Sequence, residues 1–203
     1  TSVRVSRFGI RSTTETGIGQ IGTQLEFDLF SGNDETTSPN PRLRHANVTI
    51  GDNWLFGQTW TNFMPLSHYP RTSDFNGPVG ITFARVPQIR YSNKLANGLA
   101  YSFSIEESAA ATSNDPVLTA AAGYSADRWS ARVAGLTGRV DNGAGSDLTY
   151  SAYTLSGSVT PWEGGLVTAS YTDGDAIGSL LIGPGDDIVN GATNDAEGVT
   201  LQF

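Results

Sequence analysis

An alternation between two kinds of side chain, repeated along most of the chain, constrains the fold more than any other feature. In residues 19–30, Ile21, Thr23, Leu25, Phe27 and Leu29 share one parity, and Gln20, Gln24, Glu26 and Asp28 share the other. A period of two puts these sets on opposite faces of a strand. Leu99, Tyr101, Phe103 and Ile105 alternate in the same way with Ala100, Ser102, Ser104 and Glu106. So do Val167, Ala169 and Tyr171 with Thr168, Ser170 and Thr172. No helical period of useful length interrupts the pattern. About eleven strands follow, in hairpin order, with short turns such as Gly51-Asp52-Asn53 alternating with long polar loops. The first strand is expected over residues 2–12, with a bulge near Ser6. Pro87 is expected to break a ladder that resumes at Gln88.

Composition narrows the function classes. The chain has Lys+Arg 12 and Asp+Glu 20, a net charge of −8, so a nucleic-acid partner is not expected. With no Cys, and with His45 and His68 as its two histidines, it offers no zinc site. Asp173, Asp175 and the pair Asp186-Asp187 fit no EF-hand, and solvated turns account for them. Serine-hydrolase, zincin and P-loop signatures are missing. No enzyme activity, no cofactor and no metal are expected. There is no run of eighteen apolar residues, which excludes a transmembrane helix but not a barrel, whose strands alternate.

Two architectures fit an all-β chain with one apolar and one polar face: a transmembrane antiparallel β-barrel and a soluble sandwich, the latter as a surface protein binding glycan through its aromatics. Three features favour the barrel. The polar faces hold Ser, Thr, Gln and Arg, as a water-filled lumen would. Aromatics gather near strand ends (Trp54, Tyr91, Tyr101, Tyr124, Trp129, Tyr150, Trp162, Tyr171), as interfacial girdles do. Most carboxylates lie in loops, whereas most arginines lie in strands. Eleven of the twelve basic residues are Arg, and Lys94 is the single Lys. On this reading Arg4, Arg7, Arg11, Arg42, Arg44, Arg90 and Arg132 line the pore beside Glu26 and Asp28. A surplus of Arg lowers the barrier for anions. Salt bridges to Glu26, Asp28 and Glu106 are the competing use of the same arginines.

The connection over residues 57–77 is too long and too aromatic for an ordinary surface loop. Trp60, Phe63, Met64, His68, Tyr69, Arg71, Asp74 and Phe75 are its candidate functional residues, stiffened by Pro65 and Pro70. It is expected to fold into the barrel and narrow a channel. A row of Trp60, Phe63 and Tyr69 acting as a stacking slide in a sugar-selective barrel is the alternative.

The segments SRFGIRS (6–12) and LEFDLF (25–30) resemble early strands of bacterial outer-membrane porins. RLRHANVTIGDNWLFGQTWTNFM (42–64), SDFNGP (73–78) and RVPQIRYS (85–92) are similar, more narrowly, to the DcaP-like porin family. That resemblance implies a homotrimer of sixteen-stranded barrels set among outer-membrane lipid and lipopolysaccharide. It implies an inward-folding constriction loop at residues 59–82 and passage of small anionic solutes, dicarboxylates in particular. Arg7, Arg42 and Arg44 would then face that loop across the lumen. Both ends of the sequence read as strand, so residues 1–203 are expected to be one barrel domain, incomplete at both ends.

Overall fold

The computed structural model describes residues 3–31, 40–72, 77–110, 113–183 and 185–203. Ten strands follow one another as β1 (Arg7–Thr16), β2 (Gly19–Ser31), β3 (Asn40–Ile50), β4 (Trp54–Trp60), β5 (Arg85–Lys94), β6 (Leu99–Glu106), β7 (Val117–Ser125), β8 (Trp129–Asp141), β9 (Asp147–Val159) and β10 (Val167–Asp175). A small hairpin of β11 (Ile188–Val189) and β12 (Ala192–Thr193) stands apart, and β13 (Asp195–Gln202) returns to pair with β10. The large sheet has eleven strands in the order of the sequence, every neighbour antiparallel. Among the described residues β1 and β13 are each paired on one side, so the sheet is not closed.

Local meanders of this kind need only tight turns between partners. Residues 17–18, 51–53, 95–98, 126–128 and 160–166 make those turns at one end of the sheet. The connections 61–84, 107–116, 142–146 and 176–194 lie at the other, and all but 142–146 are longer than any of those turns. In bacterial membrane barrels the short turns face the periplasm and the long loops the exterior.

The polarity of the sheet is inverted relative to a water-soluble protein. Phe8, Ile10, Leu25, Phe103, Ile105, Leu118, Leu155, Val199 and Leu201 are exposed on one face. Gln88, Ser104, Thr119, Thr154, Ser156, Thr168, Ser170 and Thr172 are buried on the other. The hydroxyls bond to one another across strands: Ser130 with Ser158 at 2.9 Å, Thr172 to Thr154 at 3.0 Å, Ser170 with Thr200 at 2.6 Å. A sandwich would hide the apolar face against a second sheet. Among the described residues no second layer covers it. A hydrocarbon solvent on that face accounts for the pattern: backbone groups are satisfied by the ladders, and the apolar side chains need no protein partner.

Several local expectations are corrected. A 3-10 turn at Val3–Val5 precedes β1, so Arg4 is not on a strand. Trp60 ends β4 rather than opening the loop. β5 runs through Pro87, which pairs with Gln58. The missing proline N–H falls on the β6 side, where the ladder has already ended at Glu106, so little is lost; the Pro87 carbonyl still accepts from Glu107 at 2.9 Å. Trp54 and Tyr91 (5.1 Å) and Tyr124 and Trp129 (5.3 Å) pair near the short turns. Tyr150 is no girdle residue. It is 3% exposed and points inward, its ring covering Gly138.

The outward face gives the first prediction. Leu155 lies on it in β9, 48% exposed. Leu155→Arg is expected to destabilise the protein by about 2–4 kcal/mol in a denaturant titration in lipid vesicles if it lies near the bilayer midplane. An unchanged midpoint would mean that this face meets water.

Candidate functional site

The polar face carries its densest charge on β1–β3. Asp28 is fully buried and accepts from Arg42 through both oxygens, at 3.0 and 2.6 Å. It also accepts from Arg44 at 2.8 Å and from the Phe30 amide at 3.1 Å. Arg44 reaches a second carboxylate, Glu26, at 2.8 Å, and Arg11 approaches Glu26 at 3.8 Å. A bulge makes this possible. The pairing shifts between Glu26 and Phe27, so Arg44 and His45 both turn inward instead of alternating. Arg4 and Arg42 lie over the Phe30 ring at 4.7 and 5.3 Å. Arg85 lies over Trp60 at 4.3 Å and within the field of Arg44, Arg42, Arg7 and Asp28.

The connection from β4 to β5 lies on this same polar face. A 3-10 turn at Leu66–His68 touches β9 and β10, far from its own strands in the sheet. The sheet must therefore curl around it. Its root is held by charge. Glu106, 4% exposed on β6, accepts from the Asn62 amide and from Ser104, both at 2.7 Å, and from the Thr61 hydroxyl. Arg132 donates to the Asn62 and Phe63 carbonyls, and Arg90 to the Trp60 carbonyl. Further along, His68 bonds Ser156 and Ser130, each at 2.8 Å. The Arg71 backbone then exchanges two hydrogen bonds with the Gln202 side chain on β13.

Apolar packing holds the middle. On β8 and β9 the inward residues change along the strand. Ser130, Arg132, Ser156 and Ser158 lie towards the short turns, and Leu136, Val140, Leu148 and Tyr150 towards the long loops. Phe63, with no exposed surface, packs in the cluster of that second half. Ile177 and Leu180, from the 176–194 connection, join it. The two connections also pair through backbone: Gly80 to Ile182 (2.7 Å), Ile182 to Ile81 (2.8 Å) and Phe83 to Leu180 (2.8 Å). Gly198 on β13 lets the 61–84 connection seat closely against that strand, because a Cβ there would stand 1.8 Å from the Gly80 carbonyl oxygen.

The residues expected to line a pore thus fall into two groups. Arg4, Arg7, Arg11, Glu26, Asp28, Arg42 and Arg44 sit together on or just before β1–β3. Arg90 and Arg132 are elsewhere, bonded to the last carbonyl of β4 and to two loop carbonyls respectively. Of the loop residues, Phe63, Met64 and His68 are buried, Tyr69 is half-buried and Arg71 is exposed. Asp74 and Phe75 lie outside the described residues. With Phe63 enclosed and Trp60 under Arg85, the row Trp60, Phe63, Tyr69 is not a solvent-facing strip. Sequence reading missed Arg85 as a wall residue and treated Glu106 only as a partner for arginines. Hairpin register places Arg85 opposite Trp60, which was the available signal for the first. The role of Glu106 depends on where the loop goes, and no local pattern carries that.

Two predictions test the clamp. Glu106→Ala leaves the buried Thr61, Asn62 and Ser104 donors without their acceptor, a loss of about 1–3 kcal/mol for each donor left unsatisfied. Protease cleavage within residues 61–84 should accelerate, with Glu106→Gln intermediate; unchanged cleavage would show that Glu106 does not hold the loop. His68 is held below its ordinary value of 6.5 by burial and, secondarily, by the Arg132 charge. The docked loop therefore favours neutral imidazole. Its docking energy is complete above about pH 6.5 and is lost as pH falls through and below that value. Cleavage should rise on acidification, and His68→Gln should flatten the dependence.

No curated protein matches the chain. Among solved structures, the outer membrane channel DcaP of Acinetobacter baumannii superposes with a TM-score of 0.84 at 26% identity, over 98% of this chain and 61% of that one. OmpT, an outer membrane protein of Vibrio cholerae, superposes with a TM-score of 0.58 at 17% identity, over 83% and 56%, a likeness of fold alone. The chain spans about three-fifths of the length of the Acinetobacter channel. The model of a family described as DcaP outer membrane protein matches residues 1–106, more than half of the 203. This chain belongs to the DcaP outer membrane protein family, and its place is the bacterial outer membrane.

Proposed function

We propose that the chain is part of a diffusion porin that passes small hydrophilic solutes, anions in preference, through a water-filled lumen. Residues 1–203 act as one barrel domain, and the connection within residues 59–82 is its constriction. The carrying observation is the imbalance of charge on β1–β3. Arg7, Arg11, Arg42 and Arg44, with Arg4 before them and Arg85 beside them, surround two carboxylates, Glu26 and Asp28. Arg11, Arg42 and Arg44 engage both carboxylates, and with Glu15 of β1 counted as well the six guanidiniums still outnumber three carboxylates, so the wall is positive. A ring of that sign favours anions and excludes cations. The bidentate geometry of arginine suits carboxylate solutes, including dicarboxylates.

The loop supports the same reading as a size limit. It is tied to β6, β8, β9 and β13 by side-chain hydrogen bonds, which suits a fixed constriction better than a swinging gate. A homotrimer, with lipid and lipopolysaccharide against the apolar face, completes the proposal. Its channels carry solute down a gradient and perform no chemistry.

The reversal potential of the intact protein in a salt gradient across a planar bilayer should show anion preference. Replacing Arg42 and Arg44 together by Ala should move it towards cations, since Asp28 then loses both its guanidinium partners and Glu26 keeps only Arg11 at 3.8 Å. Cation preference in the unaltered protein would overturn the proposal.

A further inference from the structure

A cavity of about 510 Å³ lies beneath the loop, between its underside and the short-turn ends of β5–β8. It does not touch the Arg42–Arg44 cluster. Among the described residues its walls include Arg90, Arg132 and Lys94, and no Asp or Glu. The nearby carboxylate is Glu106, whose oxygens already accept from Thr61, Asn62 and Ser104. Among the described residues, three cations therefore stand against one committed carboxylate.

The hydrogen bonds of the two arginines do not cancel their charge. Arg90 donates to the Gln88 side chain and the Trp60 carbonyl, and Arg132 to two loop carbonyls; all are neutral acceptors. A guanidinium has five N–H donors, so each keeps some in reserve. Arg90 and Arg132 also lie within each other's field, so positive potential is concentrated at one place. Walls of one charge sign around a confined space focus the field and raise the local concentration of the opposite ion. Lys94 is exposed at the end of β5 nearest the short turn. It is the only lysine of the chain, a compact charge on a flexible stem at the mouth of the cavity.

We propose that this cavity is a second station for a small oxyanion, carboxylate or phosphate, on the short-turn side of the loop. The inference rests on the anion-porin reading and adds a site to it. An anion leaving the β1–β3 wall meets a second positive region before release, so its exit is stepped rather than uphill. Arg90 and Arg132 then have two uses: their donors pin the loop, and their charge holds the solute.

The test is single-channel current through the intact protein in chloride, with channels inserted in one orientation. Inorganic phosphate or acetate is added to one side at a time. Both anions should reduce the current at lower concentration from the short-turn side. Lys94→Glu, at an exposed position that leaves the barrel intact, should raise the half-blocking concentration from that side about tenfold. From the other side it should change nothing. Side-dependent block by only one of the two anions still supports the station and assigns its preference. Equal block from both sides, or identical block in Lys94→Glu, overturns the station. The reversal potential separates the two failures: if it keeps its anion preference the porin reading stands alone, and if it shows cation preference both fall.

Discussion

A strand in hydrocarbon can satisfy its backbone only by pairing with another strand. Everything else in this chain follows from that constraint. Because hydrogen bonding is settled by the ladders, the outward side chains are free to be apolar and uncovered. The inward ones are free to be polar and to carry charge. A soluble protein of this size uses its apolar residues to make a core. Here most of them face out, and much of what the molecule encloses is a layer of hydroxyls, arginines and carboxylates, with one apolar cluster beside it.

That arrangement creates a difficulty at the loop. A long connection brought onto a polar concave face carries backbone donors and acceptors that no strand ladder satisfies. The chain resolves it with ionised side chains rather than with more strand. Glu106 accepts the donors at the loop root, and Arg90 and Arg132 donate to its carbonyls. Charge-assisted bonds of this kind are stronger than neutral ones. Further along, packing takes over, because the inner faces of β8 and β9 turn apolar where Phe63, Ile177 and Leu180 arrive. One inner surface is thus divided lengthwise into a wet half and a dry half.

Much of this was legible in the sequence. The alternation in β2 and β6 is undisturbed, and it gives strands, their facing and the two solvents. Strand count and hairpin order followed from turn chemistry. What escaped shares one physical cause: it depends on contacts between distant segments. Tyr150 reads as a girdle aromatic because it sits near a strand end, and only its pairing opposite Gly138 shows that it faces inward. Pro87 reads as a break, yet the register places its missing donor where no acceptor strand continues. Arg90 and Arg132 read as bare pore charges because nothing local says that a loop will lay its carbonyls against them. The bulge in β3 was equally hidden, since Arg42 and Arg44 share a parity that needs no bulge to explain.

That bulge bears on how a lumen of this kind changes over time. Arg44 is the extra residue: Arg42 pairs with Asp28 and His45 with Glu26 on either side of it. Taking one residue out there would leave both neighbouring pairs in step. A barrel wall can therefore gain or lose a guanidinium through a single codon inserted or deleted, without turning any other side chain to the wrong solvent. In such proteins a one-residue gap at a bulge is a change of ionic character rather than a frame error.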